Sequence, residues 1–223
     1  MTTAADIYNR FLIMANSLDT SSNIYTEKAR FVLLFNQTAK EWARENIKNV
    51  KDADIVDFQF LLTEPVTLKE VKKTDTYYLY ELPADYLRWA NYFSVASKET
   101  CQNIVIYNHL AKPQNLSVQL SDGYNTPSFE YEHIPINFST DHMQSYYSDF
   151  TITGQFLAYY SNPKPIDIAG SILSNGMQSS NIDSDMPDWA ITQILKQCVT
   201  SSFINSGNVQ NAQLSTLNSQ IKN

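Results

Sequence analysis

Two hydrophobic periods divide this chain, and the switch between them limits what it can fold into. From Pro187 the run PDWAITQILKQCVTSSFI places Ile191, Ile194, Leu195, Cys198, Val199 and Phe203 at helical spacing, one apolar stripe. Pro187 suits the first helical position, where its missing N–H is no loss, and Asp185 and Asp188 put negative charge by the helix N-terminus. Upstream, FLAYYSNPKPIDI reads as a strand stopped at an Asn-Pro-x-Pro corner, and the polar loop SNGMQSSNIDSDM crosses to the helix.

The N-terminal region has the same helical period. Ile7, Phe11, Met14, Ala15 and Leu18 share one side of a helix over Ala4 to Leu18. Asn23 fits an N-cap for a longer helix, Ile24 to about Asn49, with Phe31, Phe35, Ala39, Trp42 and Ala43 inward. Its opposite face carries Glu27, Lys28, Arg30, Lys40, Glu41, Arg44 and Glu45, the mixed charge of a solvated face.

After Val50 the period shortens to two. Apolar runs separated by polar breaks (DFQFLLTEPVTL, TDTYYLYEL, NYFSVAS, CQNIVIYNHL, NLSVQL, SFEYEHIPI, FTITGQFLAYY) predict half-buried strands. Leu116, Val118 and Leu120 alternate, as do Phe129, Tyr131 and His133, and Asp122-Gly123 marks a tight turn between those two strands. LPADYLRWA reads as a proline-started helical turn, and FSTDHMQSYYS as a loop. The expected fold is α+β. Residues 1–50 and 186–206 supply the N- and C-terminal helices of one bundle, with a large, mainly antiparallel β insertion over 51–185. The tail over 207–223 carries Val209, Leu214, Leu217 and Ile221, too few apolar residues to fold alone yet regularly spaced, which predicts an assembly element.

Composition narrows the partners. A chain of 223 residues with net charge −7 lacks the clustered Lys and Arg of a nucleic-acid surface. No apolar stretch is long enough to span a bilayer, and the first residues lack a secretory-signal pattern. Cys101 and Cys198 lie far apart and form no CxxC, so a reducing compartment or simple core thiols are expected rather than a disulfide framework.

No constellation for chemistry emerges. The five glycines make no GxGxxG or phosphate loop, no GxSxG elbow occurs, and the histidines fit no metal spacing, so neither cofactor nor metal is expected. The densest titratable group is Glu130, Glu132 and His133 with Asp141 and His142. On a strand, Glu130 and Glu132 would share a face about 6–7 Å apart, which suits an inverting glycosidase and equally the wet face of a sheet. The pairs Tyr77-Tyr78, Tyr146-Tyr147 and Tyr159-Tyr160 each offer one inward ring and one outward ring for a sugar or protein partner.

The order of elements, with ELPADYLRW and DMPDWAITQILKQCVTSSFINSGN, resembles the head–tail adaptor proteins of short-tailed phages. It is most similar to the tail tubular protein A group and to the neck ring proteins of crAss-like phages. Leu82, Pro83, Asp85, Tyr86 and Leu87 match the leucine-proline and Asp-Tyr-Leu that close a strand before a turn. Met186 and Pro187 open the C-terminal helix, with Cys198 and Phe203 on its stripe. The chain departs from the pattern in extra strand material over Lys112 to Tyr147, and in Cys198 where small alanines are usual.

The resemblance implies a structural virion protein with no reaction to catalyse. It would be a homo-oligomeric ring, usually dodecameric, in the virion neck, stacked on the portal protein and followed by further neck or tail rings. Genomic DNA would pass through its lumen without specific binding, and no membrane is involved. Val209, Leu214, Leu217, Ile221, Tyr146 and Tyr147 are the expected assembly contacts. The alternative is a carbohydrate-recognising β module of a phage tail or cell surface.

Overall fold

The computed structural model describes residues 2–18, 26–49, 52–111, 114, 116–123, 125–170 and 178–205. Its elements make an α+β fold in two compact units. One combines residues 1–60 with 162–223; the other is the continuous stretch Leu61–Ser161. The boundaries therefore fall inside the expected β insertion, and 51–60 and 162–185 group with the helices.

The helical unit is built from both chain ends. Helices α1 (Ala4–Leu18) and α2 (Lys28–Asn49) precede the β unit in sequence, and the C-terminal helix Asp188–Asn205 follows it. Their inward stripes are those read from the sequence: Ile7, Phe11, Phe31, Phe35, Trp42, Ile191, Ile194, Cys198 and Phe203 are all buried. Phe11 and Phe31 bring their rings to 5.0 Å, joining α1 to α2.

Polar contacts fix the helix ends. Thr3 caps α1 by accepting the Asp6 N–H, and the Asp183 carboxylate accepts the Ala4 N–H at 3.0 Å. Asp188, at the start of the C-terminal helix, pairs with Arg10, and Asp185 pairs with Lys164. The Trp42 indole donates to Gln193 at 3.0 Å. Asn36 on α2 holds Ile166 twice, donating to its carbonyl at 3.0 Å and accepting its N–H at 2.9 Å. The charged face of α2 is exposed, as expected, while Asn23 lies outside the described residues.

The second unit is a two-sheet sandwich. Its strands are β1 (Val66–Thr67), β2 (Lys69–Lys73), β3 (Tyr77–Glu81), β4 (Tyr86–Lys98), β5 (Cys101–Tyr107), β6 (His109–Leu110), β7 (Pro135–Phe138), β8 (His142–Tyr146) and β9 (Thr151–Ser161). One sheet runs β1-β9-β4-β5 and the other β2-β3-β8-β7-β6; every pairing is antiparallel except β6 with β7. Tyr78, Tyr80, Ile136 and Met143 from one sheet share a core with Ala96, Ile106, Ile152 and Leu157 from the other. The chain changes sheet at both seams, at Leu68 between β1 and β2 and at Asn108 between β5 and β6, and both residues are buried. Strand β9 ends at Ser161, immediately before the Asn162-Pro163 corner, as expected.

A polar network crosses this core. The Gln155 side chain accepts from Ser94 at 2.6 Å and from Ser145 at 3.0 Å, and donates to the Phe93 carbonyl at 3.1 Å. Ser94, Ser145 and Gln155 are fully buried. Ser94 also lies 2.8 Å from the Asn108 side-chain oxygen, while the Asn108 amide nitrogen is buried without a partner. One hydroxyl carries one hydrogen, so Ser94 cannot donate to both neighbours. Turning the Asn108 amide over lets its nitrogen donate to Ser94 and Ser94 donate to Gln155, so the single Ser94 hydrogen has one acceptor.

Several strand-period readings are corrected. Leu116–Ser121 is a short helix, α3, because Leu116 and Leu120 also meet at helical spacing; Asp122-Gly123 therefore follows a helix rather than linking two strands. Residues 129–132 form a turn closed by the Ser128–His133 bridge, with Glu132 at φ 50°, outside the extended region of a regular strand. DFQFL lies in a 3-10 segment, Asp52–Leu61, and Leu62 bridges Tyr160. In LPADYLRWA only the first residues turn, closed by the Tyr86 N–H on the Pro83 carbonyl at 3.0 Å, and residues 86–90 already belong to β4. The expected loop over Phe138 to Ser148 contains β8. Tyr159 and Tyr160 are both buried rather than one inward and one outward.

Two substitutions test this packing. Phe203→Ala should cost about 3–5 kcal/mol, read as a lowered thermal midpoint. Gln155→Leu should cost about 1–3 kcal/mol for each serine left without its acceptor, and restoring the volume alone should not recover it.

Candidate assembly interface

The titratable residues grouped by sequence are dispersed in the fold. Glu130 and Glu132 lie on the 129–132 turn, and Glu130 engages Lys98, which also binds Asp149 at 2.5 Å. The Lys98 ammonium holds both carboxyls below their ordinary range. A glycosidase acid needs the opposite shift. His133 instead stacks on His109 with ring centroids 4.7 Å apart, and burial lowers its basicity. Asp141 and His142 line a separate cleft of about 300 Å³ with Glu81, Pro83 and Tyr86. Among the described residues no three His, Cys, Asp or Glu side chains are placed to hold a metal, and no helix is long and apolar enough to cross a membrane. Cys198 is buried, which pushes its thiol up to about 12, and Cys101 is exposed.

The expected contact tyrosines are committed inside the β unit. Tyr146 is buried, faces Tyr77 and donates to Gln144; half-buried Tyr147 packs on Tyr78 at 4.7 Å and donates to the Thr74 carbonyl at 2.6 Å. Lys73 covers this pair, 4.8 Å above Tyr78 and 5.2 Å above Tyr147. Strand β8 ends at Tyr146, and its pairing with β3 sets Tyr146 against Tyr77. Val209, Leu214, Leu217 and Ile221 lie outside the described residues.

A surface that sequence reasoning did not single out is the outer edge of β5. Strand β5 is the last in its sheet, paired only with β4. Among the described residues, no backbone hydrogen bond is made along its outer edge from Ile104 to Tyr107. All its residues except Ile106 are exposed, Val105 at 48% and Tyr107 at 66%. From Cys101 to Leu110 there is no ionisable Lys, Arg, Asp or Glu.

The edge continues into an apolar row on the outer face of the sheet. Tyr107 pairs across strands with Phe93, and Phe93 stacks on Phe156 at 4.9 Å and 8°. In the next row Val105 faces Val95, and Val95 faces Gly154. The Phe156 ring lies over Gly154 so closely that a Cβ there would meet it at 3.0 Å. The edge of the other sheet is built differently. Strand β2 is KEVKK, whose four charged side chains make it a poor template for pairing. Absence of charge over ten residues was the available sequence signal for β5, but a periodic strand does not reveal whether it is central or at an edge.

No protein-family model matches the chain, and no curated protein matches it significantly.

Acid should loosen the 125–134 turn in two steps. His133, lowered from its ordinary 6.5, contributes stability that is present above that value and lost as pH falls from it. Glu130 and Asp149, lowered from 4.5 and 3.8, contribute stability present above those values and lost as pH falls through their lowered ones. Hydrogen exchange across the turn should show both steps, and Lys98→Met should remove only the lower one.

Proposed function

We propose that this protein is a structural subunit of a virion neck, a ring-forming head–tail adaptor below the portal that extends the DNA exit channel. The observation that carries this reading is the unguarded, uncharged edge of β5, in contrast to the charged edge of β2 in the other sheet. An unguarded edge is a liability for a free-standing module and a ready pairing template for a subunit that assembles. The layout supports the particular kind of assembly. Both chain ends form one helical unit and the β unit is inserted between them, as the adaptor resemblance implies. The net charge of −7 suits a lumen that repels DNA phosphates and so lets the duplex slide. The engagement of Glu130 with Lys98, of His133 with His109 and of Asp141 in a separate cleft lends no support to a Glu130/Glu132 hydrolase.

The test is reconstitution with the cognate portal. Negative-stain images should show a closed ring stacked on the portal, and light scattering should show a multiple of the subunit mass. A chain that remains monomeric with its portal, or that binds glycans with micromolar affinity, would refute the adaptor reading.

A further inference from the structure

We propose that the open edge of β5 is the subunit contact of that ring: a neighbouring copy of this chain lays an extended segment along Ile104–Tyr107 and continues the sheet. The proposal rests on the ring reading, and it names the partner and the chemistry of its contact.

The unpaired ladder sets the form of the occupant. Backbone N–H and C=O groups spaced along an edge are satisfied by another extended backbone, and side-chain insertion alone would leave most of them unmet. The side chains set its polarity. Val105 and Tyr107 project on the outer face, next to Phe93 and Phe156, so the incoming strand meets an apolar row.

Charge selects the second copy. A nucleic-acid partner needs Lys or Arg, and a basic protein needs carboxylates; Cys101–Tyr107 has neither. Copies of a chain with net charge −7 repel each other, and that cost is least where the contact itself carries no charge. The β2 edge, with Lys69, Glu70, Lys72 and Lys73, shows the same unit closing its other long edge to pairing.

The chain carries its own probe. Exposed Cys101 begins β5, and buried Cys198 serves as an internal control for unfolding. Alkylation of Cys101 should slow by about tenfold or more when monomers assemble into rings, while Cys198 stays unreactive in both states. The paired substitution Val105→Lys and Tyr107→Lys replaces exposed side chains, so the monomer should keep its circular dichroism and melting curve. It should fail to form rings and leave Cys101 reactive on the portal.

Wild-type rings with Cys101 as reactive as in the monomer would overturn the proposal, as would normal rings from the double-lysine chain. Protection of Cys101 by substoichiometric portal, before any ring closes, would put a portal strand on this edge and overturn the assignment to a copy. If wild-type protein forms no ring at all, the adaptor reading falls first. If rings form but ignore the β5 edge, only this inference falls.

Discussion

The β unit depends on one buried amide. Gln155 stands fully buried on β9, takes hydrogen bonds from Ser94 of β4 and Ser145 of β8, and returns one to the Phe93 carbonyl. Its backbone carbonyl accepts the N–H of Leu68, the residue where the chain leaves one sheet for the other. Apolar packing alone would allow neighbouring strands to slip, because many aliphatic pairings are nearly equivalent. A slip by one residue would turn Gln155 away from both serines and leave their hydroxyls buried and unmet, at a cost of about 1–3 kcal/mol each. The network therefore fixes register where the apolar core supplies bulk.

That register also decides the outer surface. With Ser94 and Gln155 inward, Phe93 and Phe156 must point outward in the next row. Their stacked rings, extended by Tyr107, keep a sheet face apolar beside an open edge. The Phe156 ring fills the space over Gly154, so the one residue of β9 without a side chain does not leave a hole in that face. Inside and outside are two readings of the same alternation.

The helical unit was legible because its period and its burial coincide. Each residue of the C-terminal stripe, from Ile191 to Phe203, is buried, and α1 has the bounds that its apolar spacing predicts. The β unit was less legible wherever an inward position is polar. Strand β8 reads HMQSY, and its inward Ser145 hides the two-residue period because it serves Gln155 rather than the apolar core. The opposite error arose at Phe129, Tyr131 and His133, whose alternation is real but whose backbone turns at Glu132. As for the candidate site, the tyrosine pairs drew attention as rings, yet Tyr146 and Tyr147 are consumed by local packing. The β5 edge has an ordinary strand sequence, and its significance lies in what does not pair with it.

A helical unit assembled from opposite ends of the chain has a consequence for synthesis. Arg10 and Asp188 stand 178 positions apart, yet their ion pair joins the first helix to the last. During translation α1 and α2 emerge first, with apolar stripes whose partner helix does not yet exist. The continuous stretch 61–161 contains the nine strands of the described residues and can close before the C-terminal helix leaves the ribosome. Vectorial synthesis thus favours a β unit that matures while the earliest helices wait, and the final helix acts as the closing piece.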